Sequence, residues 1–107
     1  MAMDQITDPV LTRFRRELDA AYGERLERVI LFGSRARGDA REDSDYDVAV
    51  FLKDFESFGE EMWTIAEIET SILLDMGAVI HAMPYRAGDI AARTAFMGEV
   101  RREGVAI

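Results

Sequence analysis

The chain has 107 residues, of which 49% are hydrophobic and 32% charged, and its formal net charge is −8. This composition excludes a disordered or fibrous chain, because disorder at this charge requires far fewer apolar residues. The lack of cysteine excludes disulfides, thiolate catalysis and cysteine-bound zinc, and a single histidine argues against a histidine zinc cluster, so we expect any metal to be bound by oxygen. The acidic balance also argues against non-specific binding to a nucleic-acid backbone, which needs a basic face.

The sequence shows no pattern typical of a membrane-spanning segment or of a secretory signal peptide. No window approaches the roughly 18 consecutive apolar residues of a membrane span. The first residues, Met1 to Gln5, lack a basic region followed by an apolar one. We therefore expect a cytoplasmic protein.

The first half of the chain predicts a helix, a strand and a polar loop. Asp8 followed by Pro9 is typical of a helix start, and the apolar residues then recur at helical spacing as far as the stop at Gly23. Residues 28–32 form a short apolar run that suits a buried strand. Residues 34–44 change to glycine, serine and charged residues, which predicts a functional loop or a short helical turn.

The second half predicts two more strands and two helical regions. Residues 45–52 alternate in the manner of a strand, and residues 58–76 have the spacing of a long helix. A third strand is expected over 78–83, ended by Pro84, and residues 88–104 are helical in outline but interrupted by Gly98. This order favours an α/β or α+β fold, in which helices flank a small mixed sheet in two layers.

The most informative residues lie where the first predicted strand ends and the second begins. If the two strands pair antiparallel, Gly33 and Ser34 meet Asp45 and Asp47, whose side chains point to the same side of their strand. Two carboxylates at close range suit Mg²⁺, which takes one or two carboxylates together with substrate phosphates. Glycine lets a phosphate approach the backbone, and Ser34 offers a hydroxyl and an N–H. The pattern therefore indicates a site for a metal-bridged nucleoside triphosphate.

Each part of this pattern has a simpler explanation when taken alone. A Gly-Ser pair is usually only a turn, and an Asp-x-Asp pair is usually a solvated strand edge. The joint spacing between two apolar strands is what favours the functional interpretation. Arg35, Arg37 and Arg41 add positive charge around the predicted phosphate site, although a solvated loop would also contain them.

These residues resemble a known signature. Gly33-Ser34, ten residues and then Asp45-x-Asp47 resemble the motif of the DNA polymerase β-like nucleotidyltransferase superfamily. The fuller string around it, with Ser44 before Asp45 and an Arg-Glu-Gly tail that ends at Gly104, is similar to the minimal nucleotidyltransferase branch. The resemblance implies one nucleotidyltransferase domain over residues 1–107, with the fold of that superfamily.

The resemblance also implies roles for particular residues. It places the phosphates at Gly33 and Ser34, with other nucleotide contacts from nearby residues, and Mg²⁺ at two carboxylates. The implied nucleotide-binding residues are Gly33, Ser34, Arg35, Arg37 and Ser44, and the implied metal ligands, also catalytic, are Asp45 and Asp47. The implied reaction transfers AMP from ATP to a hydroxyl, in characterised pairs a tyrosine of a small helical HEPN-type toxin, which makes the enzyme an antitoxin. Some members of the superfamily modify small aminoglycoside-type molecules, but those usually carry an additional domain.

The sequence departs from the family pattern at the third metal-binding carboxylate. The predicted third strand contains no Asp or Glu, and His81 occupies the expected position, where a neutral imidazole could act as a base but would be a poor Mg²⁺ ligand. Asp75 is a second candidate, near the end of the long helix. A packed histidine and a surface carboxylate are the competing interpretations. The alternative function is therefore a catalytically weakened or inactive binding module that neutralises its partner by complex formation.

Overall fold

The fold is built on a four-stranded mixed sheet. The computed structural model describes residues 8–107, so the N-terminal residues inspected for a targeting signal lie outside the described part. The strands are β1 (Leu26–Phe32), β2 (Tyr46–Leu52), β3 (Ile80–Arg86) and β4 (Val105–Ala106), in the spatial order β3-β2-β1-β4. β1 is antiparallel to both β2 and β4, whereas β2 and β3 are parallel. The predicted mixed sheet and the antiparallel β1–β2 pair are confirmed.

Within residues 8–107, four helices accompany the sheet, and their ends follow local sequence signals. They are α1 (Pro9–Tyr22), α2 (Ser34–Arg37), α3 (Phe58–Met76) and α4 (Ala95–Glu103), with short 3₁₀ turns at Gly23–Arg25 and Ala87–Ala91. The Asp8 carboxylate caps α1 by accepting from the Val10 and Leu11 N–H groups. α3 ends at Gly77 in the left-handed conformation, as a glycine stop predicts.

Helices cover both faces of the sheet, which corrects the expected two-layer arrangement. α1 and α3 pack on the face that carries Val48 and Val50 and form the larger core. α4 packs on the other face against Ala49 and Phe51 and forms a smaller core. The alternation along β2 predicts both sets of buried residues, because successive side chains of a strand point to opposite faces. The missed layer is α4, whose apolar face meets the side of the sheet that also carries Asp47.

The sequence suggests that Pro84 ends the third strand, but in the structure the strand continues past it. β3 runs on to Arg86 and pairs with β2 along its whole length. The Ala82 N–H points away from β2 and donates to the Glu69 carboxylate at 2.8 Å. Pro84 has the same parity as Ala82, so its missing N–H faces the free edge and no ladder hydrogen bond is lost.

The C-terminal region also differs from expectation. The helical pattern is broken at residues 92–94 rather than at Gly98, which lies inside α4, and Thr94 caps that helix through its hydroxyl. β4 is an element that the sequence did not predict. Within residues 8–107, no helix combines the length and the apolarity needed to cross a bilayer. The cytoplasmic location stays a prediction.

Candidate active site

The end of β1 and the start of β2 converge as the motif predicts. Phe32 is the register partner of Asp47, which places Gly33 beside that carboxylate. A Cβ atom added to Gly33 would overlap the Asp47 carboxylate, and Gly33 has φ +76°. Glycine is therefore required here twice, for its backbone conformation and for its lack of a side chain. Gly33 and Asp47, which are far apart along the chain, therefore lie in direct contact.

β3 brings His81 to the same place. His81 is the register partner of Asp47, and its Nε2 atom lies 3.1 Å from Oδ2 of Asp45. Both side chains are largely exposed, at 62% for His81 and 48% for Asp45. The structure therefore places His81 beside the two aspartates.

The electrostatics of the site favour an added cation. Burial raises the pKa of the Asp47 carboxyl above its usual value, and the Asp45 carboxylate raises it further, while His81 and Arg37 act in the opposite direction. A raised carboxyl pKa means that the negative charge of Asp47 is costly in this position. A divalent cation between Asp45 and Asp47 would remove that cost.

The two aspartates fit part of a Mg²⁺ coordination shell. Their oxygen donors are the kind that Mg²⁺ prefers, and the remaining positions would be filled by water and phosphate oxygens. Within residues 8–107, no group of three or more histidine, cysteine, aspartate or glutamate side chains is arranged to hold a metal.

Ser34 and Arg37 lie on the short turn that follows Gly33. Ser34 is the first residue of α2, whose early N–H groups point out of its N-terminal end. The Arg37 guanidinium, about half exposed, lies 3.4 Å from carboxylate oxygens of both Asp39 and Glu103. These ion pairs are long and exposed, so an incoming phosphate could replace them at small cost.

Arg35 and Ser44 are engaged in the loop that leads to Asp45. The Arg35 guanidinium donates to the Ser44 carbonyl oxygen at 2.7 and 2.9 Å and lies over the Tyr46 ring, 3.9 Å from its centroid. The Ser44 hydroxyl accepts from the Arg41 N–H at 2.8 Å. Tyr46 points to the opposite face of β2 from Asp47 and donates its hydroxyl proton to Asp8. The structure therefore does not bring the Arg35 guanidinium together with the two aspartates, and a phosphate contact by Arg35 stays a prediction.

Two other carboxylates have roles that sequence reasoning did not assign. Asp75 pairs with Arg13 of α1 at 2.8 Å, on the opposite side of the sheet from Asp47, so the structure does not place it at the site. In the sequence Glu103 is only part of the Arg-Glu-Gly tail motif, yet in the structure it faces Arg37. Gly104, next to it, has no room for a Cβ atom against Ile30, which explains the glycine of that motif.

A strand-turn-strand unit that joins a glycine turn to paired aspartates on a mixed sheet is the arrangement that the nucleotidyltransferase motif predicts. Residues 20–100 match the family model described as "Polymerase beta, Nucleotidyltransferase", and the chain belongs to this family. It is a nucleotidyltransferase.

Curated relatives agree with this assignment. The chain is 32% identical over 98 residues to "Putative protein adenylyltransferase MJ0141" of Methanocaldococcus jannaschii, which spans 92% of this chain and 95% of that protein. It is 34% identical over 77 residues to "Putative protein adenylyltransferase MJ0604" of the same organism, across 71% of this chain and 70% of that protein.

Solved structures share the fold. A structure described as a "putative nucleotidyltransferase" from Sulfolobus solfataricus superposes with a TM-score of 0.67 at 21% identity, across 98% of this chain and 84% of its own. A structure described as "the toxin-antitoxin with AMP-PNP" gives a TM-score of 0.61 at 19% identity, across 87% and 68%. At these identities the likeness concerns the fold alone.

Proposed function

We propose that the chain transfers AMP from ATP, with Mg²⁺, to a hydroxyl group of a partner protein. The observation that carries the proposal is the direct contact between Gly33 and the Asp47 carboxylate, which joins the phosphate-binding turn to the paired aspartates. The two Methanocaldococcus relatives are named as protein adenylyltransferases, which supports ATP and a protein acceptor. A neighbouring fold described as "the toxin-antitoxin with AMP-PNP" supports an antitoxin role. The resemblance to minimal nucleotidyltransferases suggests the acceptor, a tyrosine of a HEPN-type toxin.

The proposed step is an in-line displacement at the α-phosphorus. The turn at Gly33 and Ser34 holds the β- and γ-phosphates, and Arg37 exchanges its long contacts with Asp39 and Glu103 for phosphate oxygens. The acceptor oxygen forms a bond to the α-phosphorus while the bond to pyrophosphate breaks. When bound by Asp45 and Asp47, Mg²⁺ would neutralise charge on the triphosphate. The chain contributes positioning and electrostatic stabilisation.

His81 is proposed as the group that meets the acceptor hydroxyl. It is exposed beside Asp45 and Asp47, where an acceptor would approach. Its ring can take the proton that the hydroxyl loses, and the Asp45 contact orients the ring. Arg35 and Ser44 support the step by holding the loop that leads to Asp45.

The test removes both metal-binding carboxylates and measures nucleotide binding and transfer. In calorimetric titration with a non-hydrolysable ATP analogue, we expect Mg²⁺-dependent binding by the parent and its loss in the Asp45→Asn, Asp47→Asn double variant. The control, Glu42→Gln with Asp43→Asn, removes the same charge from the neighbouring loop and should bind as the parent does. Transfer is then followed with ATP labelled at the α-phosphate and a HEPN-type toxin, with the modified residue located by mass spectrometry.

A second candidate function is favoured by the absence of a carboxylate at the His81 position. In this second function the chain does not modify its partner and neutralises it by complex formation alone. The double variant separates the two functions, because it should still bind the partner but no longer modify it. Full neutralisation by the double variant would refute transfer as the basis of protection.

A further inference from the structure

Helix α3 carries large apolar side chains on two opposite sides. Its inner side, with Ile65, Ile68 and Ile72, packs into the larger core. Its outer side carries Trp63, 70% exposed, and Leu74, 79% exposed. A helix on the surface of a globular domain normally has polar residues opposite its core face, and one that is apolar all round is normally buried. The outer side of α3 therefore has the composition of a contact surface.

The outer side of α3 is shaped as a shallow groove. The groove has a volume of about 500 Å³ and is lined chiefly by Trp63, Ala66, Glu67, Thr70 and Leu74. The large side chains stand at its two ends, and the small ones, Ala66 and Thr70, form its floor. Eleven residues separate Trp63 from Leu74, which at 1.5 Å per residue is about 16 Å, or three turns of a docked helix. This spacing suits recognition of a helix along a groove.

The charges around the groove indicate a basic occupant. All five charged residues of α3 are acidic. Glu61 and Asp75 are neutralised by Arg25 and Arg13. Glu67 lies in the groove, and within residues 8–107 it makes no ion pair. A cation on the occupant would pair with it.

The same charges argue against a second copy of this chain as the occupant. Two α3 helices packed antiparallel about a twofold axis would place both Glu67 side chains at the same edge of the contact. Each copy also brings a net charge of −8. Like charges at an interface disfavour association.

We propose that this groove docks a helix of a partner protein whose apolar stripe is flanked by lysine or arginine, one of which pairs with Glu67. The groove lies on the opposite side of the sheet from Asp47 and uses none of the residues proposed for transfer. The inference rests on the proposed function in one respect, since the docked helix is taken to belong to the protein that accepts AMP. Docking on this face leaves the Asp45, Asp47 and His81 side chains open to the acceptor.

Trp63 provides a direct measurement, because it is the single tryptophan of the chain. The probe is a helical peptide of about five turns with a leucine stripe flanked by lysine and arginine. We expect it to move the Trp63 emission to shorter wavelength in a saturable manner. A peptide with the same stripe flanked by glutamate, and a scrambled peptide with the basic composition, should not do so. The scrambled peptide is needed because any polycation is attracted to an acidic protein.

Two variants of α3 locate the binding. Leu74→Asp should weaken binding of the basic peptide at least tenfold, equivalent to about 1.4 kcal/mol. Met76→Ser is the matched control, since it lies on the same helix about 160° around the axis from Leu74 and should bind as the parent does. Glu67→Gln should weaken the basic peptide, and the salt dependence of binding should fall with it. Circular dichroism confirms that each variant is folded.

Several results would overturn the inference. An equal response to the scrambled or acidic peptide, or no response to the basic one, would remove the basic helix as occupant. A dimer in size-exclusion chromatography with light scattering, dissolved by Leu74→Asp, would assign the groove to a second copy instead. The Asp45→Asn, Asp47→Asn variant should keep the peptide response, and Leu74→Asp should keep nucleotide binding. Failure of docking is thereby distinguishable from failure of the proposed transfer reaction.

Discussion

Gly33 carries a constraint that Gly38, five residues later, does not share. Both have a positive φ, +76° and +84°, but a Cβ atom would overlap the Asp47 carboxylate at Gly33 and would meet nothing within 4 Å at Gly38. Gly33→Ala should therefore displace Asp47 and reduce nucleotidyl transfer by roughly a hundredfold, the typical effect of a misplacement of about 1 Å. Gly38→Ala should lower stability by about 1 kcal/mol, the cost of left-handed backbone, and leave transfer nearly intact. Transfer rates and thermal unfolding of the two variants check this, and equal losses of transfer would contradict it.

His81 offers a second test at the scale of one side chain. Because it is 62% exposed and is the register partner of Asp47, His81→Asp places a third carboxylate at the site without disturbing the core. We expect Mg²⁺ to bind about tenfold more tightly, a gain of about 1.4 kcal/mol. The variant should also be less stable than the parent without metal, since three carboxylates repel one another. Thermal unfolding across a Mg²⁺ titration measures both effects, and an unchanged Mg²⁺ response would show that residue 81 does not face the cation.

At the scale of elements, one carboxylate of α3 adds a hydrogen bond to the apolar contacts that join this helix to the edge strand β3. Glu69 accepts from the Ala82 N–H, and burial raises the pKa of the Glu69 carboxyl, although the Ala82 hydrogen bond and His81 counteract the rise. A carboxyl pKa that is higher in the folded than in the unfolded state makes stability fall as pH rises through the interval between the two values. Glu69→Gln removes this dependence on pH. The free energy of unfolding of the variant should therefore rise relative to that of the parent as pH increases through that interval.

A companion variant separates the charge of Glu69 from its hydrogen bond. Glu69→Ala leaves the Ala82 N–H without its acceptor and should be about 1–3 kcal/mol less stable than Glu69→Gln at every pH. Denaturant unfolding of both variants at several pH values provides the comparison. If Glu69→Gln and Glu69→Ala behaved alike, the hydrogen bond to β3 would contribute nothing.

The elements also show where sequence reasoning succeeds and where it stops. The convergence of Gly33, Asp45 and Asp47 could be predicted, because an apolar strand, a polar turn and an alternating strand bring these residues together once the two strands pair antiparallel. The continuation of β3 past Pro84 could not, since it depends on which strand edge residue 84 faces. β4 is two residues long and has no periodicity to detect. The engagement of Arg35 with the Ser44 carbonyl depends on the path of a loop, which local composition does not fix.

At the scale of the whole molecule, a chain of aromatic contacts builds the fold, whereas the largest aromatic side chain takes no part in it. Phe51 is fully buried, and its ring stacks on Tyr85 at 5.6 Å between centroids. Tyr85 in turn contacts Phe96 of α4, which meets the edge of Phe32 at 5.3 Å. These contacts attach α4 to the face of the sheet that carries Asp47. Trp63, larger than any of them, lies exposed on α3.

Because Phe51 is buried and Trp63 is exposed, truncation of Phe51 should cost much more stability than truncation of Trp63. Phe51→Ala removes a ring from a filled core and should lower the free energy of unfolding by about 3–5 kcal/mol, a large share of the roughly 5–15 kcal/mol available to a domain. Trp63→Ala should change it by no more than about 0.5 kcal/mol, as an exposed substitution does. Unfolding followed by far-ultraviolet circular dichroism compares the two without relying on the tryptophan signal. A large loss in Trp63→Ala would mean that the outer side of α3 supports the fold of the isolated chain, and the groove would then have no need of a partner.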